Sequence, residues 1–381
     1  MRDGESPATI GRAPPPCPLS HLGIALRPVT HVPSRTVQPT PTATGQREFG
    51  VEISSRLACP RFKSRLDRVD SALRCSSTEC RRSYPIQGGV PVLIHDENSL
   101  FSVADFKDSG PSRFYDDELD RGGERVGLLK RLKRSVGRTL VYFPLKLDYM
   151  KGREALEDMI RSGAKRILVV GSGASAYQVP DDVEVVYTDV AFGAQTRYLC
   201  DCHDLPFADE TFDGAIVVAV FEHVADPYRC AEEIRRVLVP EGRIYSATPF
   251  LQPVHMGRYD FTRFTFLGHR RLLRGFDALK DGMALGPGST AAWAIEYFLL
   301  SFSDSVDVRR YLRTIGMVVT VPFKFADRLL QHKEGALDAA GGLFFYGKKR
   351  AEPISDRELM RLYRGRDQVY DDVDSEVRKH F

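Results

Sequence analysis

The stretch PVHMGRYDFTRF, Pro253 to Phe264, sets a histidine, an aspartate and two arginines among aromatic residues with no helix or strand period. Irregular segments of this kind are loops that carry chemistry. His255 is of the residue type that serves as a general base near neutrality. Asp260 can orient that imidazole or a substrate hydroxyl, and Arg263 can pair with a carboxylate or phosphate. These three residues form the candidate catalytic set. Tyr259, Phe261 and Phe264 can wall an apolar or sugar-stacking surface. The bland alternative is an internal Asp260–Arg263 ion pair closing the loop, with Phe261 and Phe264 in the core. His223 reads as a structural or cofactor-edge residue, and His269 in GHRRLLRGF as a helix-surface residue.

A loop of this kind needs strands behind it. RILVVGSGAS, Arg166 to Ser175, is a buried-strand run that ends in a glycine-rich turn. Gly171 and Gly173 let the backbone approach a ligand, and the following N–H groups favour a polar one. The next run, VEVVYTDV, ends at Asp189, where a carboxylate can grip ribose hydroxyls. Gly171, Gly173 and Ala176 also fit a dinucleotide pattern, so an NAD(P)-linked oxidoreductase stays open at this point.

The segment CDCHDLPFADETFDGAIVVAVFEHVADPYRCAEEIRRVLVPEGRIYSATP, Cys200 to Pro249, closely resembles class I S-adenosylmethionine-dependent methyltransferases of the small-molecule type. The resemblance covers Lys165 to about Pro249, with Ser175 standing where a third glycine is frequent. It implies S-adenosylmethionine as cofactor, held by Gly171, Ser172 and Gly173 at the turn and by Asp189 and Val190 after the second strand. Asp201 would meet the adenine amino group, with Cys202, Ala219 and Glu222 completing the cofactor set. PFLQPVHMGRYDFTRFT resembles a group of bacterial methyltransferases associated with cell-surface glycan synthesis. Together these imply O-methylation of a sugar, glycan or other small molecule; a non-catalytic scaffold is the alternative. The implied fold is α/β: a doubly wound Rossmann-like sheet with an antiparallel last strand, GLFFYGKK (Gly342 to Lys349), beside a strand at about 276–286.

The rest of the chain divides by texture. Residues 1–50, rich in Pro, Thr, Ser and Arg, read as a disordered tail. Residues 51–98 resemble the small zinc-ribbon activator subunit of tRNA and release-factor methyltransferases through LACP, the second cysteine pair and YPIQGGVPVLI. Phe62 replaces one ligand and four residues separate Cys75 from Cys80, so the expectation is a degenerate ribbon-like β domain without metal. Residues 99–160 form a linker and helical lead-in. Within them, 127–147 make a helix with one apolar and one basic face, packed on the next domain or lying on an anionic membrane surface. The methyltransferase domain spans 161–350 with a helical insert at 287–340, which covers the sheet edge or binds a partner, and whose GPGS (Gly286 to Ser289) reads as a turn. Residues 351–381 read as a polar tail.

Lys and Arg total 54 against 51 Asp and Glu, a net charge of +3 that argues for no nucleic-acid partner. No apolar run reaches the ~18 residues of a membrane span. Seven cysteines, an odd number in a long chain, fit a reducing compartment better than a disulfide framework, so the expectation is cytoplasmic.

Overall fold

The computed structural model describes residues 55–106, 148–173 and 175–365. The expected tail at 1–50 and the basic helix at 127–147 lie outside the described residues.

Parallel strands form the centre: β5 (Arg166–Val170), β6 (Glu184–Asp189), β7 (Tyr198–Cys200), β8 (Phe212–Val218) and β9 (Leu238–Pro249). Their runs are apolar because both faces are covered. In β5, Leu168 and Val170 face one core while Ile167 and Val169 face the other. β8 splits in the same way, Ala215 and Val217 against Ile216. Period-two alternation thus feeds two cores from one strand. β10 (Phe276–Leu285) and β11 (Gly342–Lys349) close that side, with β11 antiparallel to both β9 and β10. The order β7-β6-β5-β8-β9-β11-β10 is doubly wound, and its direction reverses between β5 and β8. A ligand cleft opens at the carboxyl ends of the strands on that reversal.

Helices cover the two faces. α1 (Gly152–Arg161) is capped by Glu154 reaching back to the Lys151 N–H and buries Ala155, Leu156 and Met159. It lies close on the sheet because Gly214 has no side chain: a Cβ there would stand 2.7 Å from Met159 Sδ. α2 (Pro227–Val237) starts with Asp226 accepting from the Arg229 N–H and Pro227 in its first turn. Its buried stripe is Cys230, Ala231, Ile234 and Val237.

Four short antiparallel strands precede this sheet: β1 (Leu66–Val69), β2 (Ala72–Cys75), β3 (Ser83–Gln87) and β4 (Val90–Leu93). β4 pairs in parallel with β7 through Val92–Leu199 and Leu93–Cys200, so all eleven strands join one sheet.

Three sequence expectations change. His269, on α3 (Phe266–Leu272), is 2% exposed, not on the surface. The sheet lies under this helix, and His269 Nε2 meets Ser246 Oγ at 2.9 Å. Its neighbour Arg270 is buried as well, with the guanidinium 4.4 Å from the Phe345 ring centroid. GPGS is not a turn between elements: Gly286 precedes α4 (Pro287–Leu300), and Pro287 sits in its first turn. The segment from 351 is not wholly a tail, because Ile354 and Leu359 are buried and α6 (Asp356–Met360) carries a capping box.

α4 forms a hairpin with the long α5 (Val306–Leu330). A buried carboxylate from α5 caps α4: Asp327 accepts from the Gly288 N–H at 2.6 Å and the Ser289 N–H at 3.0 Å. Gly288 permits the crossing, since a Cβ there would fall 1.9 Å from the Phe323 carbonyl oxygen. Among the described residues no helix is long and apolar enough to cross a membrane.

Candidate functional site

The glycine turn after β5 is tightly shaped. Gly171 and Gly173 have φ of 65° and 52°, in the left-handed region. A Cβ on Gly171 would stand 2.4 Å from Val220 Cγ2, so the glycine also lets the end of β8 close on the end of β5. Ser172 N–H donates to the Thr188 carbonyl at 3.0 Å and Gly173 N–H to Asp189 Oδ2 at 2.8 Å. Asp189 therefore stands buried beside the turn, and Val190 follows it half-buried. Ser172 Oγ is buried without a hydrogen-bond partner among the described residues. Ala219, at the end of β8, holds φ of 53° and donates its N–H to the Ala247 carbonyl.

Asp201 is turned inward. Its Oδ1 accepts from the His203 N–H at 3.0 Å and meets His203 Nδ1, while Oδ2 accepts from the Ser99 hydroxyl. Burial pushes the Asp201 carboxyl up, but His203 and Ser99 outweigh it and hold it below the ordinary range. Burial pushes His203 down, yet Asp201 outweighs that and holds the imidazole above its ordinary value. The Cys202 thiol points away from the cleft into the core, 2.9 Å from the Cys230 sulfur.

The segment after β4 reaches this edge. His95 Nδ1 meets Asp204 Oδ2 at 2.9 Å, and Arg229 reaches the other oxygen of Asp204 at 2.6 Å. Phe101 stacks on Tyr259 of the loop after β9 at 6.0 Å. Phe106 meets Phe192, just beyond Asp189, at 6.1 Å. Residues 99–106 thus touch both the loop after β9 and the loop after β6. Ser99, Phe101 and Phe192 were absent from the sequence-based set. No local motif marks them, because strand pairing is what brings them here. His203 carried a readable signal, two residues after an aspartate.

The loop after β9 is braced from within. Arg263 grips Asp260 through both terminal nitrogens and donates to the Gln252 and Pro253 carbonyls at 3.0 and 3.1 Å. Burial raises the Asp260 carboxyl, but Arg263 and the His255 N–H, 2.7 Å away, outweigh it and keep it below the ordinary range. Phe264 enters the core, whereas Phe261 is 48% exposed. The ion pair anticipated as the bland alternative is present, and the same aspartate also holds His255. His255 Nδ1 lies 3.5 Å from Asp260 Oδ2, and the side chain is 6% exposed.

His255 Nε2 faces Glu222. That carboxylate is fully buried, and its Oε1 lies 3.8 Å from the Nε2 atoms of both His255 and His223. No donor reaches Oε1 among the described residues; Oε2 has Thr248 at 3.5 Å. The two imidazoles meet edge to face with centroids 4.7 Å apart. His223 Nδ1 donates to the Tyr259 carbonyl at 2.8 Å, which turns its Nε2 toward Glu222. Burial holds His223 below its ordinary pKa despite the adjacent carboxylate.

Two other features lie apart. Cys59, Cys75 and Cys80 gather their sulfurs, with Cys59 Sγ 3.8 Å from Cys80 Sγ and 3.3 Å from Tyr84 Oη. Phe62 points outward under Arg61. Burial pushes the Cys75 thiol up to about 11. A depression of about 660 Å³, lined by Gly163, Lys165, Asp182 and Asp213 among others, opens at the amino ends of β5, β6 and β8. It is on the edge opposite the glycine turn.

Residues 170–246 match the family model of a methyltransferase domain. No curated protein matches the chain. Among solved structures, the chain resembles phosphoethanolamine N-methyltransferase 2 of Haemonchus contortus, at 15% identity over 58% of this chain and 59% of that one, TM-score 0.34. It resembles 1,6-didemethyltoxoflavin-N1-methyltransferase of Burkholderia thailandensis at 14% identity over 57% and 84%, TM-score 0.32. The complex of the Haloferax volcanii Trm112 methyltransferase activator with a methyltransferase is similar at 17% identity over 57% and 92%, TM-score 0.33. Likenesses this distant carry no argument about substrate. The matched domain runs from the glycine turn to the middle of β9 and contains Asp189, Asp201 and Glu222. The chain is an S-adenosylmethionine-dependent methyltransferase.

Proposed function

We propose that this enzyme methylates a hydroxyl group of a sugar, glycan or other small molecule, held under the loop after β9. One observation carries the reading: a fully buried carboxylate with an unpaired oxygen faces two imidazoles beside that loop. Buried orphan acceptors are rare and call for a functional partner. A hydroxyl supplies the missing donor.

The turn fits its cofactor, because Ser172 Oγ is a buried orphan between two left-handed glycines and beside Asp189. Asp189 and Val190 would hold the ribose, and Asp201 with the backbone of Cys202 the adenine. Gly171, Ser172, Gly173, Ala219 and Glu222 would line the remainder. When bound, the cofactor supplies an electrophilic methyl group on a sulfonium.

What remains for the protein is orientation and the removal of one proton. His255 is the base. Asp260 and Arg263 flank Nδ1 at 3.5 and 3.4 Å and hold the ring; with its proton on Nδ1, the ring uses Nε2 to accept the proton as the acceptor oxygen takes the methyl. The imidazolium so formed lies between two carboxylates, Asp260 and Glu222, which stabilise it. Arg263 acts by holding Asp260 and the loop carbonyls in place.

The test is His255→Ala. It should keep cofactor affinity and lose ~10²–10⁴-fold in turnover, the usual contribution of a general base. Full turnover at saturating cofactor on a hydroxyl acceptor would end this assignment.

A further inference from the structure

We propose that Glu222, His223 and His255 form a binding site for one first-row divalent metal ion at the acceptor side of the cleft. The proposal rests on the reading above only in placing the acceptor beside this cluster.

Four observations carry it. Glu222 Oε1 and the Nε2 atoms of both histidines gather within 4.8 Å of one another. The carboxylate oxygen is buried and unpaired, and it is aimed between the two rings at 3.8 Å from each nitrogen. A carboxylate–imidazole pair built for direct hydrogen bonding closes to below about 3 Å. These two stop short of that, at a separation a few tenths of an ångström wider than a set of ~2.1 Å metal bonds requires. Third, the far nitrogen of His223 is engaged as in metal sites, where the second ring nitrogen meets a carbonyl or carboxylate. His223 Nδ1 donates to the Tyr259 carbonyl at 2.8 Å, and His255 Nδ1 lies among Asp260 Oδ2 and the Pro253 carbonyl at 3.5 Å and Arg263 Nη2 at 3.4 Å. Fourth, neither histidine moves freely, since Asp260, Arg263 and the Phe261 N–H bonded to the Glu222 carbonyl tie both loops together.

Two imidazoles and one carboxylate select a transition ion such as manganese, cobalt, iron or zinc over magnesium or calcium, which prefer oxygen ligands. Three protein ligands leave coordination positions open, the pattern of a catalytic site. A hydroxyl binding there becomes more acidic. Its oxygen then forms the bond to carbon as the carbon–sulfur bond breaks, and its proton leaves to water. In that state His255 is a ligand; without the ion it is the base.

The test uses the full chain, stripped with a chelator and titrated with Mn²⁺ by electron paramagnetic resonance and with Co²⁺ by visible absorption. One equivalent of Mn²⁺ should bind, and Co²⁺ should show weak d–d bands without a thiolate charge-transfer band. Glu222→Gln and His255→Ala should each weaken binding at least ~100-fold, since even outer-shell changes cost ~10–100-fold. Should either misfold, His223→Gln tests the same ligand set. Cys75→Ser/Cys80→Ser should leave Mn²⁺ binding intact. Binding that vanishes in the cysteine variant, binding unmoved by Glu222→Gln, or no binding at all would each overturn the site. S-adenosylhomocysteine titrated into the same samples separates the two ideas. Cofactor binding without Mn²⁺ sinks the metal site alone, and Mn²⁺ binding without cofactor sinks the methyl-transfer reading alone.

Discussion

Two acid–imidazole clusters stand at the carboxyl edge of one sheet, and they are built in opposite ways. Asp201 and His203 lie two residues apart on a single 3₁₀ turn, so the chain itself brings ring and carboxylate together. With Ser99 on the second oxygen, that carboxylate is satisfied. Glu222, His223 and His255 come from two loops, and Oε1 of the carboxylate has no donor among the described residues. Both acids are buried, at 5% and 0% exposure, so burial does not separate them. Satisfaction does. A closed pair stabilises and orients and can only share already bonded oxygens with a ligand, whereas an open one keeps a whole oxygen for it.

The largest effect should come from the open cluster. Glu222→Gln keeps the shape and removes the charge, and methyl transfer should fall by ~10² or more, with a much smaller loss of S-adenosylhomocysteine affinity. Asp201→Asn should do the reverse: it should weaken cofactor binding and stability but spare turnover at saturating cofactor. Steady-state kinetics beside calorimetric titration decides between them. If both variants lose turnover alone, the contrast between the clusters collapses.

Next in size is Asp189, beside the glycine turn. If it holds the ribose, Asp189→Ala should cost ~1–3 kcal/mol of cofactor affinity through the unpaired hydroxyls left behind. That is roughly a 5- to 150-fold rise in Kd, with the fold retained. Unchanged affinity would remove Asp189 from the cofactor set and leave its bond to Gly173 as its whole purpose.

These tests bear mostly on features the sequence displays openly. The doubly wound sheet is legible because β5 and β8 are short apolar runs bounded by turn residues, and because the glycine turn precedes an acid at the end of the next strand. The antiparallel GLFFYGKK strand is legible for the same reason. What escapes is contact between segments far apart in the chain. Nothing in VPVL says that β4 will pair with β7, and so nothing points Ser99 at Asp201 or Phe101 at Tyr259. His269 escapes because GHRRLLRGF is so basic that a surface position is the natural reading. The sheet overrides it by offering Ser246 to the imidazole and Phe345 to Arg270.

That burial has a pH signature. Burial, with Arg270 adding to it, pushes His269 down to about 3. Above the ordinary imidazole pKa of ~6.5 both folded and unfolded states are neutral, and the residue contributes nothing to pH dependence. Below it the unfolded chain takes a proton that the folded chain refuses. Stability should therefore fall as pH drops from about 6.5 toward 3, by up to ~1.4 kcal/mol per unit. His269→Gln can keep the bond to Ser246 without titrating, and melting curves across that range should show its acid slope flattened. An unchanged slope would place the acid sensitivity elsewhere.

The last effect belongs to the closed pair, and its sign differs from that of His269. The folded pKa of His203 is raised by Asp201, so its contribution is full below ~6.5 and is lost as pH rises through the raised value. The folded pKa of Asp201 is lowered, so its contribution is present above ~4 and is lost as pH falls through the depressed value. Both act together between about pH 4 and 6.5. A buried hydrogen bond to a charged group is worth ~1.5–3 kcal/mol, or roughly 3–10 °C in Tm for a domain of this size. His203→Asn should therefore melt below the parent chain by that margin in the window. The gap should narrow as pH climbs past the imidazole's raised value, where the parent loses its charge as well. At His223, whose pKa burial lowers, the sign should be opposite: the neutral ring's contribution is full above ~6.5 and is lost as pH falls below it. Equal pH-dependent losses at His203 and His223 would mean that the two clusters are not closed and open versions of one motif but the same device twice.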